Sequence, residues 1–255
     1  MRVCPFLGHM VGDGQIRPML AKTEAVRTFT TPRTKKQVRA FLGLAGYYRR
    51  FVPKFSLITA PLSDLTKKHH PDKVQWSEEA ASAFQQTKDA LQKIPVLRCP
   101  PWEEPFILQT DASGLGVAAV LSQGVGDEEH AVAFYSRKLL PAEKNYSAVE
   151  QECLAVVCGV KHFDVYLSGQ EFRIETDNRA LVYLKNFKEK NSILTRWALA
   201  VQPYQFVIAH RAGMLNDNAD GLSCQYPDHP GGGESVRDSA PEPLTAMRTF
   251  DQPLI

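Results

Sequence analysis

Cysteine is scarce in this chain and poorly distributed for crosslinking: there are five, at positions 4, 99, 153, 158 and 224 of 255 residues. An odd, scattered set with no Cys-x-x-Cys pair argues against a disulfide framework or a thiolate metal site. It points to the reduced thiols of the cytosol or nucleus rather than to a secreted protein. Long apolar runs are missing as well, so no transmembrane helix and no membrane partner are expected. The stretch Met1 to His9 lacks the apolar core and small-residue cleavage site of a signal peptide. Acidic residues are almost absent from the first 70 positions, which hold 3 Asp and Glu against 13 Lys and Arg, although the net charge of the whole chain is only +2. A basic surplus confined to one segment suits a phosphate backbone, and it equally describes a solvated basic face.

What is present suffices for one large or two small domains with a real core. Residues 1–28 read as a hairpin around Phe6-Leu-Gly-His9 and Val11-Gly-Asp-Gly14, then a short helical turn from Lys22 to Phe29. Thr34-Lys-Lys-Gln37 is a capping box, with Val38, Phe41, Leu42 and Ala45 following at helical spacing. Tyr47-Tyr-Arg49-Arg50-Phe51 puts aromatics beside arginines, a mixture that either stacks on bases and holds phosphates or forms aromatic core with surface arginine. Pro53 and Pro61 bracket another short helical piece. Ser77 caps a helix carrying Ala80, Phe84 and Leu91, and Pro95, Pro100, Pro101 and Pro105 make a stiff connection where we place a domain boundary. Beyond it, Phe106–Thr110, Gly116–Gln123 and Ala131–Ser136 read as three strands of an antiparallel meander. A second capping box, Ser147 to Glu150, opens a helix running towards Gly169. A strand over Arg173–Asp177 follows, expected to lie parallel to its sheet neighbour because a helix leads to it. Helical stretches at Arg179–Leu184 and Ser192–Ala200, a strand at Tyr204–His210 and a terminal helix at Asn216–Ser223 complete the pattern. From residue 226 to 255, Pro, Gly and acids dominate without periodicity, the composition of a disordered tail.

Four carboxylates stand out by position. Asp111 ends a strand, where a buried carboxylate is costly without a partner; the alternative is a turn Asp capping the Ser113/Gly114 bend. Glu150 has a local role in the capping box, whereas Glu152 shares the stripe of Val149, Val156, Val160 and Phe163 that faces the sheet. Asp177 ends a strand as Asp111 does, and Asp220 stands at the start of the last helix. If the strands are neighbours these four converge. Clustered carboxylates cannot all stay ionised without cations, and oxygen-only ligands suit Mg²⁺ or Mn²⁺. Two such ions about 4 Å apart activate water and stabilise a leaving oxygen in phosphodiester hydrolysis.

The motifs Thr110-Asp-Ala-Ser-Gly-Leu-Gly-Val-Ala-Ala-Val-Leu-Ser-Gln123, Tyr135-Ser-Arg-Lys-Leu139, Asn145-Tyr-Ser147 with Glu150-Gln-Glu-Cys-Leu-Ala155, and Asn218-Ala-Asp-Gly-Leu-Ser223 resemble the ribonuclease H domain of gypsy-type retrotransposon reverse transcriptases. Residues 29–100, with Phe41-Leu-Gly-Leu44 and Val74-Gln-Trp-Ser77, resemble the connection segment, and residues 1–28 the end of the polymerase thumb. The resemblance implies an α/β, ribonuclease H-like fold over 104–225, a five-stranded mixed sheet flanked by helices, preceded by a small, mainly helical domain. It implies Asp111, Glu152, Asp177 and Asp220 as ligands of two Mg²⁺ ions, with Mn²⁺ as a substitute. The activity implied is hydrolysis of the RNA strand of an RNA–DNA hybrid. His210 matches a histidine that moves protons or helps product leave. Arg49, Arg50, Lys35, Lys36, Ser113 and Asn178 are the expected nucleic-acid contacts, with 2′-hydroxyls marking the RNA strand. Asn178 departs from the histidine common in the family, and Cys224 from its arginine. No Tyr-x-Asp-Asp motif is present, so polymerisation would need a partner such as a polymerase subunit or other retroelement protein. The rival reading is a folded but catalytically silent nucleic-acid-binding or scaffold protein from a decayed or domesticated element.

Overall fold

The computed structural model describes residues 3–93, 95–178 and 192–210. The N-terminal hairpin is there and continues into a third strand. β1 (Cys4–Phe6), β2 (His9–Gly12) and β3 (Gln15–Pro18) pair antiparallel. Their two-residue turns, Leu7-Gly8 and Asp13-Gly14, have φ of +44° and +76°, and of +52° and +68°. Positive φ at both central positions matches the twist of a tight hairpin. Five helices follow: α1 (Leu20–Arg27), α2 (Lys35–Gly46), α3 (Phe55–Ile58), α4 (Ala60–Leu65) and α5 (Glu78–Gln92). Thr34 and Gln37 form the expected capping box of α2, and the Ser77 hydroxyl accepts from the Ala80 N–H at the start of α5. Val38, Phe41, Ala45, Phe51, Leu62, Phe84 and Leu91 close their core.

The proline-rich stretch after α5 is more than a connection. Within it β4 (Leu97–Arg98) pairs with β3, Ile16 opposite Leu97, and completes a four-stranded sheet.

The second unit begins with β5 (Phe106–Ala112), β6 (Gly116–Gln123) and β7 (His130–Lys138), the antiparallel meander expected. The helix expected to run from Ser147 towards Gly169 breaks at Phe163 into α6 (Ala148–His162) and α7 (Asp164–Leu167). Phe163 leaves helical geometry at ψ +18° while its ring stays in the core. β8 (Glu171–Thr176) then lies parallel to β5, and α8 (Ser192–Val201) and β9 (Gln205–His210) follow. The sheet order is β7-β6-β5-β8-β9, mixed and five-stranded, so the ribonuclease H-like architecture expected from the sequence is the one observed.

Both faces of this sheet are covered. Phe106, Leu108, Val117, Ala119, Leu121 and Ile174 pack with α6 and α8, while Val120 and Phe134 join the core of the N-terminal unit on the other face. Cys153 packs inside α6, where burial pushes its thiol up to about 12. The N-terminal unit is tied down by polar contacts as well. Arg49 donates to the Ser136 carbonyl at 2.6 Å, the Ser56 N–H to the Ser136 hydroxyl at 2.9 Å, and Lys138 pairs with Asp64 at 2.7 Å. No helix among the described residues is long and apolar enough to cross a membrane. Asp220, Cys224, the helices expected at Arg179–Leu184 and Asn216–Ser223, and the tail lie outside the described residues.

Candidate active site

Strand pairing brings the first and third acids together. β5 and β8 are parallel and in register up to Gln109 opposite Glu175, and two residues beyond that pair each segment reaches an aspartate, Asp111 and Asp177. Thr176 lies opposite His210 in the next pair of strands, so the histidine ends its strand on the same edge of the sheet, exposed to solvent.

Glu152 comes to this edge from α6. Its neighbour Glu150 accepts the Ser147 N–H at 2.8 Å, the local task assigned to it by the capping box, which leaves Glu152 for the sheet. There its carboxylate faces the backbone N–H of Ala112, which favours the charged form. One of its oxygens, Oε2, is buried without a hydrogen-bond partner. Burial, then the negative charges of Asp111 and Asp177, push this carboxyl up to about 8. A buried carboxylate beside two others is disfavoured in its charged form and would be relieved by a nearby cation.

Asp111 is not a turn cap. The Ser113 hydroxyl fills that role, facing the N–H groups of Leu115 and Gly116 and the Gly116 carbonyl at 3.3 to 3.4 Å. Asp111 instead meets a cation, the ammonium of Lys54, at 2.8 Å. Sequence reasoning missed Lys54, because an ion pair between distant segments leaves no local pattern.

The donor set, all carboxylate oxygen with one orphaned buried atom, fits a hard divalent ion. Among the described residues no three such side chains yet stand around one point, and the fourth acid, Asp220, is outside them.

The predicted nucleic-acid contacts divide. Lys36 is exposed at the start of α2, and the Asn178 N–H donates to the Thr176 hydroxyl beside Asp177. Lys35 is only 8% exposed and its ammonium is held by the Lys67 carbonyl at 2.9 Å. Arg49 is occupied by Ser136, and Arg50 faces the Tyr166 hydroxyl at 3.5 Å. Tyr48 is core, 1% exposed, with its hydroxyl on the Gly8 carbonyl; Tyr47 reaches the Leu7 carbonyl.

A second polar group lies under the sheet. Gln109, 2% exposed, donates to Glu129 at 2.7 Å, and the Ser122 hydroxyl donates to the same carboxylate at 2.9 Å. These residues, with His130 and Phe134, border a cavity of about 550 Å³ between the two units, which Asp111, Glu152 and Asp177 do not line.

Comparison with known proteins bears on the fold and the family. Residues 102–204 match the RNase H-like domain found in reverse transcriptase. The chain is 41% identical over 218 residues to the retrovirus-related Pol polyprotein from transposon 297 of Drosophila melanogaster, and 36% identical over 223 residues to the transposon Tf2-3 polyprotein of Schizosaccharomyces pombe. Each match takes in 86% of this chain but only 20% and 17% of those polyproteins, so the chain spans about a fifth of their length. Among solved structures, a foamy viral protease-reverse transcriptase in complex with an RNA/DNA hybrid superposes with a TM-score of 0.69 at 18% identity, covering 95% of this chain and 32% of that one. The same enzyme in complex with double-stranded DNA gives 0.69 over 84% of this chain and 45% of that one, at 21% identity. Residues 102–204 are thus an RNase H-like domain of the reverse-transcriptase kind, carried in a chain similar to one part of the transposon polyproteins.

Proposed function

We propose that this chain is a divalent-metal-dependent endonuclease that cleaves the RNA strand of RNA–DNA hybrids, derived from a gypsy-type element. The observation that carries the reading is Glu152: a core-facing helix glutamate with one buried, unpartnered oxygen, its carboxyl raised by burial and then by the charges of Asp111 and Asp177. A carboxylate so placed gains most when a cation arrives. Asp111, Glu152, Asp177 and Asp220 would hold two Mg²⁺ ions, with Mn²⁺ able to replace them. When bound, such ions supply an activated water and charge stabilisation for the departing oxygen. The protein's own part is positional. The pairing of β5 with β8 holds Asp111 and Asp177 at the ends of neighbouring strands, and α6 brings Glu152 towards them. His210, on the same edge, has the role of moving protons or assisting product release. Lys36, Asn178 and Ser113 would contact the hybrid's backbone, and residues 1–100 would act as its basic holding extension, corresponding to thumb and connection segments. A polymerase partner and a cytosolic or nuclear site of action belong to the same reading.

The test is cleavage of a labelled RNA–DNA hybrid by the purified chain with Mg²⁺, beside Asp177→Asn. The expected result is RNA fragments with 5′-phosphate ends from the parent and at least about a hundredfold less from the variant. A parent that binds hybrid without cutting it, or a variant that cuts as well as the parent, returns the chain to the silent, nucleic-acid-binding reading.

A further inference from the structure

Lys54 is the one residue of the N-terminal unit that the described structure pairs with a carboxylate of the candidate site, and three observations show that its place is built. Its ammonium is 2.8 Å from Asp111 Oδ2, with the two side chains 15% and 32% exposed, so the pair is partly withdrawn from water. Its backbone sits in the left-handed region, φ +49° and ψ +27°, which an L side chain adopts at a cost. That strained residue is held on both sides. Pro53 precedes it, and its carbonyl accepts the N–H groups of Leu57 and Ile58 at 2.9 and 3.2 Å to start α3. The seam between this loop and β5 and β6 leaves a cavity of only about 10 Å³, about the least that a single water needs. Asp111 faces this side of the sheet, while Glu152 approaches from the helix side, where no cation is paired with it among the described residues.

We propose that Lys54 is a positioning residue for the nuclease site: an internal cation that holds the Asp111 carboxylate in the metal-free protein and competes with the divalent ion for it. This rests on the metal-dependent reading above and goes beyond it, because it makes metal affinity depend on a residue outside the RNase H-like domain. Docking of the N-terminal unit on the sheet then sets how readily the site loads. Any ligand that draws Lys54 away, such as a phosphate of bound nucleic acid, favours loading.

The experiment uses the full chain without nucleic acid, titrated with Mn²⁺ while free Mn²⁺ is followed by electron paramagnetic resonance. Lys54→Met removes the charge and keeps most of the stem. Lys54→Gly removes the side chain and suits the positive φ, so it keeps the test valid if Met at that φ fails to fold. Lys54→Arg keeps the charge. Asp111→Asn is the reference for loss of a ligand. Both neutral variants are expected to bind Mn²⁺ about tenfold more tightly than the parent, the scale of one nearby, partly screened charge, and Lys54→Arg to bind as the parent does. Mn²⁺ binding by the neutral variants alone would support the same competition in a stronger form. Equal or weaker binding in Lys54→Met and Lys54→Gly, with the parent still binding more tightly than Asp111→Asn, overturns this inference and leaves the metal reading standing. Absence of binding in all forms overturns both.

Discussion

The Glu152 carboxylate faces the backbone N–H of Ala112, the residue next to Asp111, so the helix acid is directed at the strand that carries its partner. That one nearby N–H does not offset burial and two nearby negative charges, and a pH dependence follows. In the unfolded chain this group has the ordinary value of 4.5, and in the folded chain it is raised to about 8. Between those values the unfolded chain has lost a proton that the folded chain keeps. The group's contribution is therefore most favourable below 4.5, falls as pH rises, and levels off above about 8. In metal-free protein, Glu152→Gln is expected to raise the thermal midpoint at pH 8 by on the order of 5 °C and leave it unchanged at pH 4.5. An equal shift at both pH values would mean that the substitution acts through packing instead.

Gly116 opens β6 where the two units meet. A Cβ there would lie 2.5 Å from the Arg137 carbonyl oxygen and 2.6 Å from a Leu57 methyl. The first of these is backbone and cannot swing aside. Gly116→Ala is expected to cost about 1–3 kcal/mol, read as a lower urea midpoint with an unchanged slope. A midpoint equal to the parent's would show that β7 and α3 can part without penalty.

Between β7 and α6 the chain is held by Arg137 and Glu143, which form two hydrogen bonds at 2.6 and 2.9 Å; the same carboxylate accepts the Leu140 N–H at 2.8 Å. Arg137 holds the Glu143 carboxyl below the usual range, so its stabilisation is present above about pH 4.5 and is lost as pH falls through the lowered value. Glu143→Gln is predicted to cost about 1–3 kcal/mol at pH 7 and distinctly less at pH 3. Chemical denaturation at the two pH values checks it, and a loss that does not shrink in acid would assign the effect to shape alone.

The basic residues of the N-terminal unit divide into those holding the fold and those open to solvent. Arg49→Ala removes the bond to Ser136 and should lower stability by about 1 kcal/mol with little change in the salt dependence of hybrid binding. Lys36→Ala should do the reverse, reducing the slope of log K against log salt by about 0.9. Binding isotherms at several salt concentrations separate the two, and identical slopes for parent and Lys36→Ala would remove Lys36 from the interface.

Local signals in the sequence proved the most legible. Thr34 with Gln37 and Ser147 with Glu150 are capping boxes in the structure because each is complete within four residues. The meander, and the separation of Glu150 from Glu152, could be read in the same way from spacing. Features made by distant partners could not. The two residues of β4 have no strand pattern of their own and exist because β3 offers an edge. Tyr48 beside arginines could equally be core or ligand surface until the first hairpin placed a carbonyl over its hydroxyl. Lys54 looked like one lysine among thirteen basic residues in the first 70, and only the docking of α3 on the sheet sets it against Asp111. The break at Phe163 is likewise tertiary, since its ring is needed in the core while the chain must turn towards β8.

All eight residues of β6 are buried, a pattern foreign to a sheet with one wet face. The second face is closed because Val120 and Phe134 belong to the core of the N-terminal unit. A fragment beginning at Trp102 would therefore carry every strand of the nuclease sheet and still bare a greasy flank. A protease cut in the link between Cys99 and Glu104 should yield two pieces that co-elute in size-exclusion chromatography until denaturant parts them. Transplanting this nuclease into another polyprotein would for the same reason require a host surface shaped to shelter that flank, or the transfer of its present companion along with it.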